Sequence, residues 1–263
     1  MSKTFSIATW NVNSLRVRLP LVLRWLALRQ PDVLALQETK VEDTDFPTEL
    51  LHKAGYYTLY SGQKTYNGVA FVVREPIASA INTLPNVNDE QRRFLVIDAG
   101  PLSIVNVYVP NGAQLDSDKY AYKLRWLQAL QHYLQDSLLH NQNMIVLGDF
   151  NIAPEDIDVY DPSAWQDQIL VSPQERHQFR QILNLGFKDS FRLFDQAVGQ
   201  YSWWDYRSAS FRRNHGLRID HILSSDCLAT RCISCQIDKE PRTWERPSDH
   251  TPVIATYQFI HPG

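Results

Sequence analysis

One unit recurs along the chain: an apolar, often β-branched run that stops at a polar residue. Residues 5–13 (FSIATWNVN), 32–40 (DVLALQETK), 102–111 (LSIVNVYVPN), 144–151 (MIVLGDFN) and 217–225 (LRIDHILSS) all have this form. Residues 68–75, 92–100 and 252–259 share the composition, and 230–238 also reads as extended chain. Short β-branched runs bounded by polar residues predict strands. An unbroken apolar stretch such as Met144 to Leu147 predicts a strand covered on both faces. Segments with helical spacing lie between them. Residues 18–30 set Leu19, Val22, Leu23 and Leu26 on one face, with Pro20 near the start and Pro31 just past the end. Residues 116–139 keep that spacing through Tyr120, Leu124, Leu127, Leu130, Leu134 and Leu138. Ser172 to Glu175 is a capping box with proline at the first helical position, and Gly186 closes the helix that follows. Strands interspersed with helices, without a repeat or a linker-like run, predict a single α/β domain over residues 1–263, two packed sheets with helices outside.

Composition narrows the function only slightly. A chain of 263 residues buries roughly three quarters of its unfolded surface and needs no staples. Three cysteines, an odd number, argue against a disulfide framework and suit a reducing compartment. Cys227, Cys232 and Cys235 form C-x₄-C-x₂-C, which lacks the fourth ligand that a structural zinc site wants. The first residues lack the features of a signal peptide, and no apolar run reaches the length of a membrane span. The expectation is a cytoplasmic protein with no membrane contact. A net charge of −3 does not announce a nucleic-acid binder, but charges can be segregated. Residues 207–218 (RSASFRRNHGLR) hold four arginines and no acid, and Arg16, Arg18, Arg92 and Arg93 make smaller basic pairs. Just before, Trp203, Trp204 and Tyr206 interleave with arginine, which suits stacking on bases or wedging into a groove. A core aromatic cluster is the other reading of the same residues, at least for one tryptophan.

The polar residues at the strand ends carry the candidate chemistry. In an extended segment residues i and i+2 face the same way, so Asp149 projects with Asn151, and Asn11 with Asn13. A carboxylate beside a carboxamide can hold a hard cation and hydrogen-bond a phosphoryl oxygen. Glu38 ends another apolar run, and Asn11 with Glu38 fits the sparse carboxylate set that Mg²⁺ takes. Two Asp-His dipeptides differ in context. Asp220-His221 lies in a strand, where only one neighbour can reach a shared site, and His221 is expected to be structural. Asp249-His250 stands between Pro247 and Pro252 in a rigid loop, where a carboxylate can fix the imidazole and favour its charged form. Tyr108 ends a run just before a Pro-Asn-Gly turn.

The motifs WNVN, LQETK, VYVPNG, LGDFN, SWWDYR, GLRID and PSDH follow in that order from residue 10 to residue 250. In them the chain closely resembles the exonuclease III and apurinic/apyrimidinic (AP) endonuclease family, within the DNase-I-like phosphohydrolases. The resemblance implies a four-layer α/β sandwich, two packed mixed β-sheets flanked by helices. It implies Mg²⁺-dependent repair of double-stranded DNA, with Mn²⁺ as a substitute, on abasic sites or on blocked or recessed 3′ ends, by a monomer. Carried over by position, Asn11 and Glu38 resemble the metal site, and Asp149 the acid that prepares the attacking water. Asn151 resembles its phosphate-binding partner, Asp220 a supporting acid, and His250 the imidazole beside the phosphate with Asp249 orienting it. Some members place a second metal near Asp149, Asn151, Asp249 and His250. Tyr108 resembles a phenol near the phosphate. Arg92 or Arg93 resembles a contact to the DNA backbone, while Trp203 and Leu217 match the lining of an abasic-sugar pocket. Arg212 and Arg213 of the basic run are expected to face DNA.

Two features depart from the family. The turn after Tyr108 carries no arginine, so Asn111 or Gln114 would fill that role, and residues 156–171 are acidic. Two other readings stand beside the nuclease: a phosphatase of another phosphate ester such as a lipid or inositol headgroup, and a non-catalytic regulator on the same scaffold. The arginine-aromatic segment weighs against the first, and the presence of Glu38, Asp149, Asn151, Asp220 and His250 against the second.

Overall fold

A computed structural model describes residues 2–87, 90–194 and 197–260. In chain order the first half is β1 (Ser2–Asn11), α1 (Leu15–Arg29), β2 (Val33–Gln37), α2 (Thr48–Lys53), β3 (Tyr57–Ser61), β4 (Val69–Val73), β5 (Ala80–Ile81), β6 (Phe94–Ala99), β7 (Leu102–Tyr108) and α3 (Asp118–Leu138). There follow β8 (Met144–Asp149), α4 (Pro162–Trp165), α5 (Pro173–Asn184), β9 (Phe187–Asp189), α6 (Ser210–Arg213), β10 (Asp220–Ser225), α7 (Asp226–Ala229), β11 (Cys232–Ile237) and β12 (Val253–Ile260). The strands form two six-stranded sheets, ordered β11-β12-β1-β2-β4-β3 and β5-β6-β7-β8-β10-β9.

Side-chain alternation along each strand builds four layers. Ile7, Ala35, Phe71, Ile104, Ile145 and Leu147 meet between the sheets. Their chain neighbours point outward: Ala8 and Leu34 meet Trp25 and Leu26 of α1, and Val105 and Val146 meet Leu127 and Leu130 of α3. Because both faces of both sheets are covered, the central strands read as continuous apolar runs. Two β-α-β crossovers make the parallel pairs β1–β2 and β7–β8, and β10 and β12 run antiparallel to β8 and β1. Parallel strands therefore contribute their C-terminal ends, and antiparallel ones their N-terminal ends, to a single edge of the sandwich.

Two details differ from the sequence pattern. The run 217–225 becomes a strand only at Asp220, because Leu217 pairs with Trp203 and Val159 in isolated bridges instead. The predicted first helix starts at Leu15, so Pro20 falls in its second turn, where its missing N–H leaves one hydrogen bond of the helical ladder unmade. Gly148 sets the approach of β7 to β8. Its φ is 145°, and a Cβ there would lie 1.9 Å from the Val107 carbonyl oxygen. Gly148→Ala is expected to destabilise the protein by about 3 kcal/mol or more, read as a lower urea midpoint at unchanged slope. A wild-type midpoint would show that the two strands can part.

Candidate active site

Six segments deliver side chains to that edge. Asn11 comes from the end of β1, Glu38 from the residue after β2, Tyr108 from the end of β7, and Asp149 from the end of β8. Asp220 opens β10, and Asp249 and His250 precede β12. Asp149 is the register partner of both Tyr108 and Asp220. Asn13, Ser14, Glu38, Lys40 and Asn151 all have positive φ, a concentration of unfavourable backbone of the kind found at functional sites.

The hydrogen bonds are continuous. Asn11 Nδ2 donates to Glu38 Oε1 at 3.0 Å and to Asp149 Oδ2 at 2.9 Å, and its Oδ1 accepts from the Asn13 N–H at 3.0 Å. The Tyr108 hydroxyl donates to Glu38 Oε1 at 2.9 Å, and Lys40 Nζ lies 2.8 Å from Glu38 Oε2. Asn151 donates from Nδ2 to the Val109 carbonyl at 2.9 Å and to Asp149 Oδ2 at 3.4 Å, while its backbone N–H donates to Asp149 Oδ1. Asn151 thus braces Asp149, and its carboxamide N–H groups are engaged within the protein. Asn111, exposed on its turn, donates to Asn151 Oδ1 at 3.2 Å.

One sequence expectation is corrected. Asp220, not Asp249, orients His250: its Oδ2 takes the Nδ1–H at 2.8 Å and also a hydrogen bond from Ser202 Oγ at 2.7 Å. Asp249 turns the other way and accepts from Asn13 Nδ2 and from Trp203 Nε1, each at 3.0 Å. A residue next to a histidine points to the other side of the chain, whereas the strand beyond can face it. His250 Nε2 is left facing Asp149 Oδ2 at 3.7 Å. Burial pushes the Asp149 carboxyl above the usual carboxylate range, with Asp220 adding to it against the pull of His250. Burial disfavours the imidazolium too, but Asp220 and Asp149 outweigh it and hold His250 above its ordinary value. For Glu38 burial is likewise outweighed, by Lys40 and Asn11, and its pKa is lowered.

The donor set fits a divalent cation. Asp149, Asp220 and His250 offer ligand atoms that all lie within 4.8 Å of one another, and Asp220 Oδ1 is buried with no hydrogen-bond partner among the described residues. Among the described residues Glu38 pairs with Lys40, and Asp149 and Asp220 face His250, while Lys123 and Arg242 act on Asp149 and Asp249 from further off. Asn11 and Glu38, the set expected from the sequence, adjoin this cluster through Asp149.

The expected DNA-facing residues differ in exposure and in what they touch. Arg93 lies over the Tyr108 ring at 4.5 Å and donates to the Tyr108 carbonyl, and Arg92 is exposed. Arg212 and Arg213 are exposed on α6. Trp203 is half-buried, bridges to His250, and meets Trp165 edge-on at 6.5 Å. Leu217 has no exposed surface and lies behind Trp203, so it can shape a pocket there only from behind. Arg218, the last arginine of the basic run, is a core residue paired with Asp158 and Asp189. His221 is buried between Phe150 and Phe179. Arg218 can only donate to its Nδ1, so its proton sits on Nε2, facing the Ile152 carbonyl.

Sequence reasoning missed the supports beneath the site. Gln37 and Asn106 link the two sheets, Asn106 donating to the Leu36 and Ala70 carbonyls. Lys123, fully buried, pairs with Glu175 and donates to the Asn151 carbonyl at 2.7 Å and the Asn111 carbonyl at 3.1 Å. A signal existed: Lys123 falls on the apolar stripe of its helix, in step with Tyr120, Leu127 and Leu130.

The Endonuclease/Exonuclease/phosphatase family matches residues 8–250, and the chain belongs to it. It is similar to exodeoxyribonuclease III of Haemophilus influenzae, 35% identical over 263 residues that cover 95% of this chain and 98% of that one. Among solved structures it resembles the 3′ phosphatase NExo from Neisseria bound to product DNA hairpin, with a TM-score of 0.95 and 44% identity, covering 97% of this chain and 100% of that one. An AP endonuclease from Archaeoglobus fulgidus gives a TM-score of 0.93 at 39% identity, covering 96% and 99%. No helix among the described residues is long and apolar enough to cross a membrane.

Lys123→Met removes the ion-pair partner of buried Glu175, and is expected to cost about 3–5 kcal/mol of stability. Lys123→Met combined with Glu175→Gln should recover a large part of that loss in a denaturation experiment. Equal stability of the single variant and wild type would show that the pair contributes nothing.

Proposed function

We propose that the protein is a Mg²⁺-dependent phosphodiesterase of DNA repair, acting on double-stranded DNA at abasic sites and at blocked or recessed 3′ ends, as a cytoplasmic monomer. The observation that carries this reading is the facing of Asp149 Oδ2 and His250 Nε2 at 3.7 Å, each braced from behind. Hydrolysis of a phosphodiester needs a base for the attacking water and a donor for the charge that grows on the phosphoryl oxygens. Asp149 supplies the first: it takes the proton of a water aligned with phosphorus, while Asn11 and Asn151 keep its oxygens in place. His250 supplies the second, donating from Nε2 to a non-bridging oxygen, with Asp220 holding its proton at Nδ1. Tyr108 and Lys40 fix Glu38. When bound, Mg²⁺ (or Mn²⁺ as a substitute) supplies Lewis-acid stabilisation of that charge; Glu38 with Asn11 would hold it, with Asp149 and Asp220 as the neighbouring carboxylates.

The surroundings favour DNA over a small phosphate ester. A groove of about 510 Å³, lined by Tyr66, Arg93, Asn111, Lys119 and Tyr122 among others, adjoins the site through Arg93 and Asn111 and holds cationic and aromatic side chains together. On the other side Trp203 and Trp165 present an apolar wall beside His250, which suits a sugar that has lost its base and is cheap to extrude. The exodeoxyribonuclease and AP endonuclease relatives support the same substrate class.

An abasic duplex, a 3′-phosphate nick and a recessed 3′ end, compared at equal enzyme, test the reading. Hydrolysis is expected to cease with EDTA and return with Mg²⁺ or Mn²⁺; activity on none of the three would contradict it. Asp149→Ala is expected to lower turnover by roughly 10³-fold while DNA binding persists, and undiminished turnover would remove the base. Replacing Arg212 and Arg213 with alanine should weaken binding and reduce the slope of log affinity against log salt by about two; an unchanged slope would make that helix a solvated surface.

A further inference from the structure

The loop that carries His250 is held in place from outside itself. It begins at Arg246, whose φ of 52° is unfavourable for a residue with a Cβ and doubly so before a proline. From Pro247 on, side chains of other segments hold the first two carbonyls of the loop. The Pro247 carbonyl accepts from the Tyr206 hydroxyl at 3.0 Å and from Arg18 Nη2 at 3.2 Å. The Ser248 carbonyl accepts from Arg242 Nη1. Ser248 Oγ donates to the Asn11 carbonyl at 2.7 Å and accepts the His250 N–H at 3.2 Å.

Arg242 is the member of this set that the chemistry leaves unexplained. It is 7% exposed, yet forms no ion pair among the described residues, and its Nε has no hydrogen-bond partner there. Its guanidinium carbon instead lies 5.0 Å from the Phe211 ring, 5.7 Å from Tyr206 and 5.9 Å from Trp204. A buried cation whose nearest acid, Asp249, acts on it without ion-pair contact is a costly thing to keep. Aromatic faces offset part of that cost, and they also leave its N–H groups free to bind a carbonyl.

We propose that Arg242 is a positioning residue for His250: caged by Trp204, Tyr206 and Phe211, it fixes the Ser248 carbonyl and thereby the imidazole that faces Asp149. Phe211 belongs to α6, the helix bearing Arg212 and Arg213, so the cage joins the basic surface to the His250 loop. The kinetic part of the proposal rests on the reading of the protein as a DNA phosphodiesterase; the positional part does not.

Arg242→Met keeps the length of the side chain and removes its charge and donors. Turnover on duplex DNA is expected to fall about 10- to 100-fold with KM changed less than about threefold. In the DNA-free protein, the NMR signal of the His250 Nδ1–H proton, assigned by its loss in His250→Gln, should move or broaden. Arg242→Lys, still able to donate to Ser248, should recover most of the turnover and the signal. A folded Met variant with either an unmoved His250 signal or wild-type turnover overturns the proposal. Should that variant fail to fold, Phe211→Leu opens the cage with the arginine in place. A shifted signal with about three- to tenfold lower turnover then supports the proposal, and wild-type values on both readouts overturn it. Wild-type protein inactive on DNA would sink the proposed function alone, since the imidazole signal still decides this one.

Discussion

Asp149 and Asp220 stand opposite each other in an antiparallel strand pair, each only 1% exposed. Two carboxylates in that position cannot both be charged unless something positive lies between them. His250 meets that demand: its Nδ1 is bonded to Asp220, and its Nε2 faces Asp149. The three groups form one electrostatic unit. Around it Asn11 ties the unit to Glu38, and Ser202 takes up the remaining direction of one Asp220 oxygen. The other Asp220 oxygen has no hydrogen-bond partner among the described residues, which leaves the cluster suited to a further cation.

The sandwich is what makes this unit possible. β1 and β2 belong to one sheet, β7, β8 and β10 to the other, and the site spans both. The sheets are locked together just beneath it by polar contacts: Gln37 reaches Asn106, and Asn106 reaches the backbone of β2 and β4. Such a buried network is fully hydrogen-bonded and ties one register of the two sheets to the other. Lys123 and Glu175 do a similar job under the turns that carry Asn111 and Asn151. The precision of the surface chemistry therefore depends on polar side chains that never reach the surface.

Much of this was legible in the sequence, for a physical reason. Strands covered on both faces must be apolar until they reach the edge, so the first polar residue marks where the edge lies. That rule found Asn11, Glu38, Asp149 and Asn151, and the prolines around Asp249-His250 marked a fixed loop. What it could not give was pairing across long separations. Nothing in the local pattern says that β12 lies beside β1, or that Asp220 rather than adjacent Asp249 reaches His250. Ser202 was hidden because a serine before two tryptophans carries no periodic signal. Charge runs misled as well: Arg218 reads as part of a basic surface but is fixed in the core by Asp158 and Asp189, acids from distant segments. The zinc-like spacing of Cys227, Cys232 and Cys235 resolves into strand geometry, with Cys232 and Cys235 buried and their thiols pushed up by that burial.

The central claim is that strand ends from two sheets aim Asp149 and His250 at the same phosphorus atom. A crystal structure of the Asp149→Asn variant bound to an abasic duplex and Mg²⁺ measures this directly. The scissile phosphate is expected between residue 149 and His250 Nε2, with a phosphoryl oxygen in hydrogen-bond reach of the imidazole. A phosphate seated elsewhere on the protein, out of reach of His250, would contradict it.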